Sequence, residues 1–287
     1  MTVPAAPPDQ PGVRHSWTEV NGVRIHYAEA GHGDPLVLVH GWPQNWSSWR
    51  HLIGPLSRTY RVIAPDIRGL GWSEAPDTGY TQWHLRDDLT GLLDRLGLHT
   101  GVRLIGHDFG LIAGYLACFA EPHRFSRFVA MGGVHPWSAT GVTPLLLARP
   151  FHIYVLASRA GERLAGRPRV VRGLMDYWHG GGGFDAPTAR AYAELIARPA
   201  TARMTHQRYH HIVRHEIPWF VRHHRELLLS VPTLHLNGER DPITIGTPDS
   251  WRPYASDMRL ELVPDCGHFI AEERPDWVLD RVLPFLE

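Results

Sequence analysis

An aspartate, Asp108, stands where a sharp turn from a strand into a helix is predicted. Residues 106–110 read Gly-His-Asp-Phe-Gly, the arrangement Gly-x-nucleophile-x-Gly, between a short apolar run and a helical pattern. Glycines at both ends allow a strained turn that pushes one side chain out above the sheet. A carboxylate there is already ionised, so it can displace a leaving group at saturated carbon and form an ester. The alternative is that Asp108 only caps the following helix, which the flanking glycines and the preceding buried strand disfavour.

Cleavage of such an ester requires a base that activates water against the carboxyl carbon. A histidine oriented by an acid is suited to this step, because its pKa lies near neutrality. The chain has 20 histidines, so composition alone does not identify the base.

These groups must be positioned by elements that alternate between strand and helix. Short apolar runs, and an Asn21-Gly22 hairpin turn, predict strands at 15–20, 23–29, 35–40, 61–65, 102–106, 125–131, 231–236 and 258–263. Apolar spacing and flanking residues predict helices at 45–60, 82–98, 109–120 and 275–286. The alternation predicts an α/β fold, a mostly parallel twisted sheet with helices on both faces.

One long segment breaks this pattern. Residues 135–224 lack strand-like runs and are dense in Arg, His and aromatic residues. We therefore predict a helical cap at 135–224, inserted into an α/β core at 14–134 and 225–287. The Pro-rich start, residues 1–13, is predicted to be a flexible tail.

Composition argues against several classes of protein. The chain has 287 residues, 43% hydrophobic, with 29 basic and 29 acidic residues, so it is globular and offers no general nucleic-acid or anionic-membrane surface. Its longest apolar stretch, 111–120, is about half of a membrane helix. Cys118 and Cys266 are too few and too far apart for a disulfide framework or a metal cluster. Without a signal-peptide pattern, a cytoplasmic location is expected.

Five motifs in a fixed order carry a resemblance to a known family. Besides the 106–110 turn, they are His40-Gly41-Trp42-Pro43, Asp66-x-Arg68-Gly69-x-Gly71-x-Ser73, Gly238-x-x-Asp241 and Gly267-His268. Each motif alone is weak or moderate, but all five together, spread over nearly the whole chain after the tail, are specific. The chain resembles α/β-hydrolase-fold enzymes of the epoxide hydrolase and haloalkane dehalogenase group, the epoxide hydrolases more closely.

The resemblance implies roles for the remaining residues. It assigns the base to His268 and the orienting acid to Asp241, in the order nucleophile, acid, histidine. Glu239 and Asp265 are alternative acids that we interpret as solvated loop residues. The oxyanion formed during ester hydrolysis would receive backbone N–H groups from Trp42 and Phe109.

Epoxide opening also needs a proton donor above the nucleophile, which similar epoxide hydrolases supply from the lid. Tyr209 stands where the second lid donor is expected. The first donor falls within residues 151–154, where His152 and Tyr154 are the two candidates and His152 is preferred.

Dehalogenation is the main alternative, and it needs N–H donors around a halide ion. Haloalkane dehalogenases usually have Trp directly after the nucleophile, whereas this chain has Phe109; the Trp42 indole is the remaining candidate. Fluoroacetate dehalogenases have Arg at the positions of Phe109 and Ile112, so an anionic haloacid is not expected.

Two further features of the lid have simpler interpretations. His206, His210, His211 and His215 form two i,i+4 pairs, but no Cys or carboxylate completes a metal set, so neither metal nor cofactor is predicted. The basic residues of this region are interpreted as a solvated face: Arg203, Arg208, Arg214, Arg222 and Arg225.

The sequence thus predicts a cofactor-independent epoxide hydrolase that forms a vicinal diol through a covalent aspartyl ester. A haloalkane dehalogenase with the same Asp-His-Asp set is the first alternative, and a non-catalytic small-molecule binder on the same scaffold is the second. The expected partners are a small apolar epoxide or halide and water, with no nucleic acid or membrane, and a homodimer is left open.

Overall fold

A single twisted sheet organises the molecule. The computed structural model describes residues 6–139, 151–244 and 249–287, and within these ranges eight strands pair in the order β1-β2-β4-β3-β5-β6-β7-β8. Strand β2 is antiparallel to β1 and β4, and the other pairs are parallel. The strands are β1 (Arg14–Val20), β2 (Val23–Ala30), β3 (Asp34–Val39), β4 (Tyr60–Pro65), β5 (Val102–His107), β6 (Phe125–Met131), β7 (Thr233–Gly238) and β8 (Met258–Val263). The predicted α/β class is confirmed.

Helices cover both faces of this sheet because the central strands bury both of theirs. In β3, Val37 and Val39 belong to one apolar cluster, while Leu36 and Leu38 belong to the other, as the alternation of side chains along a strand requires. The core helices are α1 (Arg50–Leu56), α2 (Gln82–Arg95), α3 (Phe109–Ala120), α10 (Ile270–Glu273) and α11 (Pro275–Leu286). The first cluster receives α2 and α3, and the second receives α1, α10 and α11.

Several strands are displaced by one or two residues, as for those predicted at 35–40 and 231–236, and two predicted helices differ from the observed ones. The segment predicted as a helix at 45–60 is a 3-10 turn (Trp46–Trp49) followed by α1. The Asn45 side chain accepts a hydrogen bond from the Ser47 amide, and this cap begins the segment with a 3-10 turn. The predicted helix at 82–98 ends at Arg95. Gly97 follows with φ 70°, a left-handed conformation that terminates helices.

An insert between β6 and β7 contains helices over residues 151–226 in the described ranges. They are α4 (Phe151–Ala157), α5 (Gly161–Ala165), α6 (Pro168–Trp178), α7 (Ala186–Ile196), α8 (Pro199–His211), a π-helical turn (Ile212–Glu216), α9 (Ile217–His223) and a 3-10 turn (His224–Glu226). The helical character of the insert is confirmed. Its exact bounds, 135–224, stay a prediction, since 140–150 lie outside the described residues, as do 1–5 of the predicted tail. No described helix is long and apolar enough to cross a membrane.

The turn between β5 and α3 is possible only with small residues around it. A Cβ on Gly106 would overlap the carbonyl of Gly110, and a Cβ on Gly110 would overlap the carbonyl of Val39. The amide of Gly110 also donates to the His40 carbonyl oxygen at 3.1 Å. Helix α3 therefore begins in direct backbone contact with the end of β3, which brings residue 108 close to the segment after His40.

We expect Gly110→Ala to destabilise the fold by about 2–3 kcal/mol, because the added methyl group has no space against the β3 backbone. Gly173→Ala is the matched control. No other atom lies within 4 Å of a Cβ built at Gly173, which is exposed in α6, so this substitution should stabilise by roughly 0.5–1 kcal/mol. Urea denaturation measures both, and equal effects of the two substitutions would contradict the packing argument.

Candidate active site

Asp108 occupies a strained backbone position at the carboxyl end of β5. Its φ of 51° and ψ of −111° lie outside the favoured regions for a residue with a side chain. The side chain is directed at the segment after β3, where Gly41 has no Cβ that would collide with the carboxylate. The strained turn predicted from the flanking glycines is therefore present.

Two backbone N–H groups face this carboxylate. The Trp42 amide donates to Asp108 Oδ1 at 2.8 Å, and the Phe109 amide also contributes a hydrogen bond that lowers the pKa of Asp108. Burial acts in the opposite direction and is larger, so the pKa of Asp108 lies above its usual range despite both amides and His268. The side chain keeps 19% of its surface accessible, which leaves a direction from which a small molecule can reach it.

His268 links this carboxylate to a second acid. Its Nε2 lies 3.7 Å from Asp108 Oδ2, and its Nδ1 lies 2.9 Å from Asp241 Oδ2. Asp241 is fully buried, and its Oδ1 accepts the Ile243 amide at 2.8 Å. Burial lowers the pKa of His268, but Asp241 and Asp108 together raise it by a larger amount, so the net shift is upward. The geometry suits a base whose orientation is set by Asp241.

The alternative acids lie away from this contact. Asp265 pairs with Arg240 at an exposed position, and Glu239 accepts the Asp265 amide at 3.2 Å. Both carboxylates are engaged within the surface loop, as expected for solvated loop residues.

The loop that carries His268 is held by hydrogen bonds to both the cap and the core. The Glu273 carboxylate accepts amides from Gly267 and from Gly180, each at 2.8 Å. The His268 amide donates to the Trp178 carbonyl oxygen at 2.9 Å. The cap segment after α6 therefore helps to position the histidine, a contact between distant parts of the chain that motif spacing did not reveal.

Two cap side chains lie over the nucleophile turn, Tyr209 from α8 and His152 from α4. Tyr209 is 3% exposed, and its ring lies 5.8 Å from Trp42 and 5.6 Å from Phe109 between centroids. His152 is also 3% exposed, 5.7 Å from Tyr209 between ring centroids. Tyr154, the other candidate for the first lid donor, is 41% exposed. The structure brings His152 to the site and leaves Tyr154 at the surface.

Burial keeps both of these cap side chains neutral. It lowers the pKa of His152 to about 3, with the nearby His268 acting in the same direction. It raises the pKa of the Tyr209 hydroxyl well above its ordinary value, and the negative charge of Asp108 adds to this shift. Neutral His and Tyr each carry a proton that can be donated in a hydrogen bond. His152 Nδ1 has no hydrogen-bond partner among the described residues.

The two indole groups of the site differ in their availability. Trp42 Nε1 donates to Thr205 Oγ1 at 3.1 Å, so the indole considered as a halide donor already has an acceptor. Trp178 Nε1 is buried and has no acceptor within the described part of the chain. The Trp178 ring lies 4.3 Å from His152 and 5.8 Å from His268 between centroids.

The interpretation of the basic cap residues as a solvated face is wrong for Arg208. Its side chain is 2% exposed, its Nη1 lies 2.5 Å from Glu216 Oε1, and its guanidinium lies 4.7 Å from the centroid of the Phe109 ring. Arg203, Arg214, Arg222 and Arg225 are exposed as predicted. No sequence signal separates Arg208 from them except its position directly before Tyr209 on α8.

The histidines considered as metal ligands remain spread along their helix. His206 and His210 have ring centroids 6.0 Å apart, and His211 and His215 are 5.3 Å apart. Across the described ranges, no three His, Cys, Asp or Glu side chains gather in a way that could hold a metal ion.

Comparison with known proteins agrees with the observed fold. The family model for the alpha/beta hydrolase fold matches residues 34–149. The structure described as "Epoxide hydrolase CorEH without ligand" superimposes with a TM-score of 0.85 at 28% identity, covering 95% of this chain and 98% of that one. The chain has the α/β-hydrolase fold.

Among α/β hydrolases, this chain is similar to epoxide hydrolases in sequence as well as in structure. It is 29% identical over 285 residues to the soluble epoxide hydrolase of Corynebacterium sp. (strain C12), covering 95% of this chain and 97% of that protein. It is 42% identical over 120 residues to epoxide hydrolase 3 of Siraitia grosvenorii, which corresponds to 41% of this chain and 38% of the relative. Identity of this degree supports an enzyme of the hydrolase class.

We expect His152 to make stability depend on pH. Its pKa is lowered from 6.5 to about 3 in the folded protein, so below pH 6.5 the unfolded chain binds a proton that the folded protein does not. Stability is therefore greatest above that pH and falls as the pH decreases toward 3. In urea denaturation, the loss between pH 7 and pH 5 should be about 2 kcal/mol smaller in His152→Phe than in the original protein.

The control for this measurement is His123→Gln, at an exposed position, which should leave the pH dependence unchanged. If His152→Phe kept the pH dependence of the original protein, the pKa of His152 would be the same in the folded and unfolded states. That result would contradict its burial as a neutral group.

Proposed function

We propose that the protein is an epoxide hydrolase that converts a small, mainly apolar epoxide into a vicinal diol through an ester on Asp108. The observation that carries this proposal is the pair of buried neutral donors, His152 and Tyr209, facing a carboxylate that already has its own base. Ring opening at saturated carbon needs both a nucleophile and a proton donor on opposite sides of the substrate, and Asp108 with these two cap side chains would supply both.

In the first step, a carboxylate oxygen of Asp108 attacks one ring carbon of the epoxide, and the bond from that carbon to the ring oxygen breaks. The oxygen leaves as an alkoxide and takes a proton from Tyr209, with His152 donating a hydrogen bond to the same oxygen. The product is a hydroxyalkyl ester of Asp108. The positive charge of Arg208 opposes the effects of burial and of Asp108 on the pKa of Tyr209, so it favours this proton transfer.

In the second step, His268 Nε2 removes a proton from a water molecule, and the resulting hydroxide adds to the ester carbonyl carbon. The negative charge that develops on the carbonyl oxygen is stabilised by the amides of Trp42 and Phe109. Collapse of this intermediate breaks the bond to the diol oxygen, which takes the proton from His268, and leaves Asp108 as the protonated acid. Transfer of that proton to the Tyr209 phenolate restores both groups for the next cycle. The imidazolium formed in between is stabilised by Asp241.

Dehalogenation remains a second candidate because of one observation, the indole N–H of Trp178, which has no acceptor among the residues that the structure describes. A halide leaving from saturated carbon requires converging N–H donors rather than a proton donor. Phe109 has no such donor, and the Trp42 indole already donates to Thr205. Trp178 alone provides weaker support for halide release than His152 and Tyr209 provide for epoxide opening. A non-catalytic binder would not need a nucleophile, base and acid in contact.

The cytoplasmic location stays a prediction of the sequence. Cys118 and Cys266 are both buried and free, which is compatible with a reducing compartment.

We expect His268→Gln to accumulate the ester, because attack on the epoxide needs only Asp108 and a proton donor, whereas hydrolysis needs the base. After incubation with styrene oxide, intact-protein mass spectrometry should detect an increase equal to the whole mass of the epoxide. The double variant Asp108→Asn/His268→Gln should acquire no such mass. Parallel incubation with (2-bromoethyl)benzene tests dehalogenation. Bromide release with no adduct from the epoxide would refute the epoxide proposal.

Tyr209→Phe should slow ring opening by at least about 100-fold, since the alkoxide loses its proton donor. His152→Phe should also slow this step, whereas Tyr154→Phe should leave it within about twofold because that side chain is exposed. Single-turnover measurements of ester formation separate this step from hydrolysis. An equal loss in Tyr154→Phe and His152→Phe would contradict the choice of His152 over Tyr154 as the first lid donor.

A further inference from the structure

A second cavity, outside the candidate active site, lies where the start of α2 meets the π-helical turn and α9. Its volume is about 540 Å³, enough for a small organic molecule. We call it the α2–α9 groove and define it by the residues that matter here: Trp83, Trp219, Arg214, Arg222, His211 and His215. None of these residues takes part in the proposed reaction.

The groove carries positive charge that its own residues do not compensate. Arg214 and Arg222 are exposed and line the groove together with His211 and His215. Glu216 is the one acidic residue among the described residues that line the groove. Its carboxylate is already taken, since Oε1 accepts from Arg208 Nη1 at 2.5 Å and from the Gln82 amide at 2.8 Å. The groove therefore presents cations to any ligand.

The charges around His211 are mixed. Burial lowers the pKa of His211, Glu216 acts in the opposite direction, and His215, Arg208 and His210 add smaller lowering effects. The charge attraction for an anion therefore comes from the exposed guanidinium groups of Arg214 and Arg222.

The groove also presents two aromatic rings. Trp83 and Trp219 meet edge to face, with centroids 4.6 Å apart and planes at 84°. Trp219 is also stacked on His223, with ring centroids 4.8 Å apart. The Arg86 guanidinium lies 5.5 Å from the centroid of the Trp83 ring. The groove therefore combines aromatic side chains with cationic ones.

The backbone at the groove departs from ordinary helical geometry. Residues Ile212–Glu216 form a π-helical turn between α8 and α9, and such turns are rare and frequently lie at functional sites. This turn contains Arg214, so the irregular backbone sets the position of one of the two cations that line the groove.

We propose that the α2–α9 groove is a binding site for a small aromatic carboxylate, whose ring packs on Trp83 and Trp219 while its carboxylate is held by Arg214 and Arg222. A planar carboxylate matches the donor geometry of arginine, which binds it through two parallel hydrogen bonds. The site is separate from Asp108, and its occupation does not depend on the reaction proposed above.

Isothermal titration calorimetry with 2-naphthoate tests this proposal, with 2-naphthamide as the neutral comparison. The original protein should bind naphthoate at least about tenfold more tightly than naphthamide. Arg214→Gln/Arg222→Gln should abolish that preference and lose at least about tenfold in naphthoate affinity. Arg169→Gln/Arg172→Gln is the matched control. It removes two exposed arginines from α6 and should bind as the original protein does.

Two further variants distinguish the groove from the candidate active site. Trp219→Leu should weaken binding of naphthoate and naphthamide alike, because both lose the aromatic contact. Asp108→Asn should leave naphthoate affinity unchanged if the ligand lies in the groove. A stronger affinity in Asp108→Asn would mean that the anion sits beside the nucleophile, where loss of a negative charge helps it. That outcome, absence of binding, or equal losses in the two double-arginine variants would overturn the proposal.

Discussion

The protein holds the Asp108 carboxylate at a place where most of its hydration has been removed. Burial raises the pKa of Asp108, and His268 together with fixed backbone donors opposes that rise. Those donors are the amides of Trp42 and Phe109, which cannot rotate away as side chains can. They converge only because the chain turns with a positive φ at Asp108 and because Gly41 and Gly110 allow the backbone segments to touch. The sheet provides the rigid edge on which this contact is built.

The cap completes the site from the opposite side and also stabilises what lies beneath it. Its helices bring Tyr209, His152 and Trp178 over the carboxylate, and the Trp178 carbonyl accepts the amide of His268. The pKa values of two histidines in this site are shifted in opposite directions. His268 contacts Asp241 and has a raised pKa, whereas His152 lies among aromatic rings and has a lowered one. Environments that move the pKa values of two titratable groups apart in this way allow one group to accept protons while the other stays a neutral donor.

Much of the framework could be predicted because it follows from local patterns. The helices at 109–120 and 275–286 and the strands at 125–131 and 258–263 have the predicted bounds, since apolar periodicity and turn residues mark their ends. The segment at 45–60 did not follow its pattern, because a side-chain cap at Asn45 changed the local geometry. The chain order of Asp108, Asp241 and His268 likewise predicted that these residues meet. In the structure, His268 and Asp241 lie within hydrogen-bond distance of each other.

The sequence by itself determined the strand-and-helix order, the strained turn and the carboxylate that this turn presents, because each depends on residues that are neighbours along the chain. Only the tertiary structure decided which cap side chains reach the site. His152 and Tyr154 differ by two positions on one helix, so the orientation of α4 against the core buries the first and exposes the second. Arg208 resembles the other cap arginines in sequence, yet it is buried between Glu216 and Phe109. Such outcomes depend on packing between elements far apart in sequence, which no local pattern encodes.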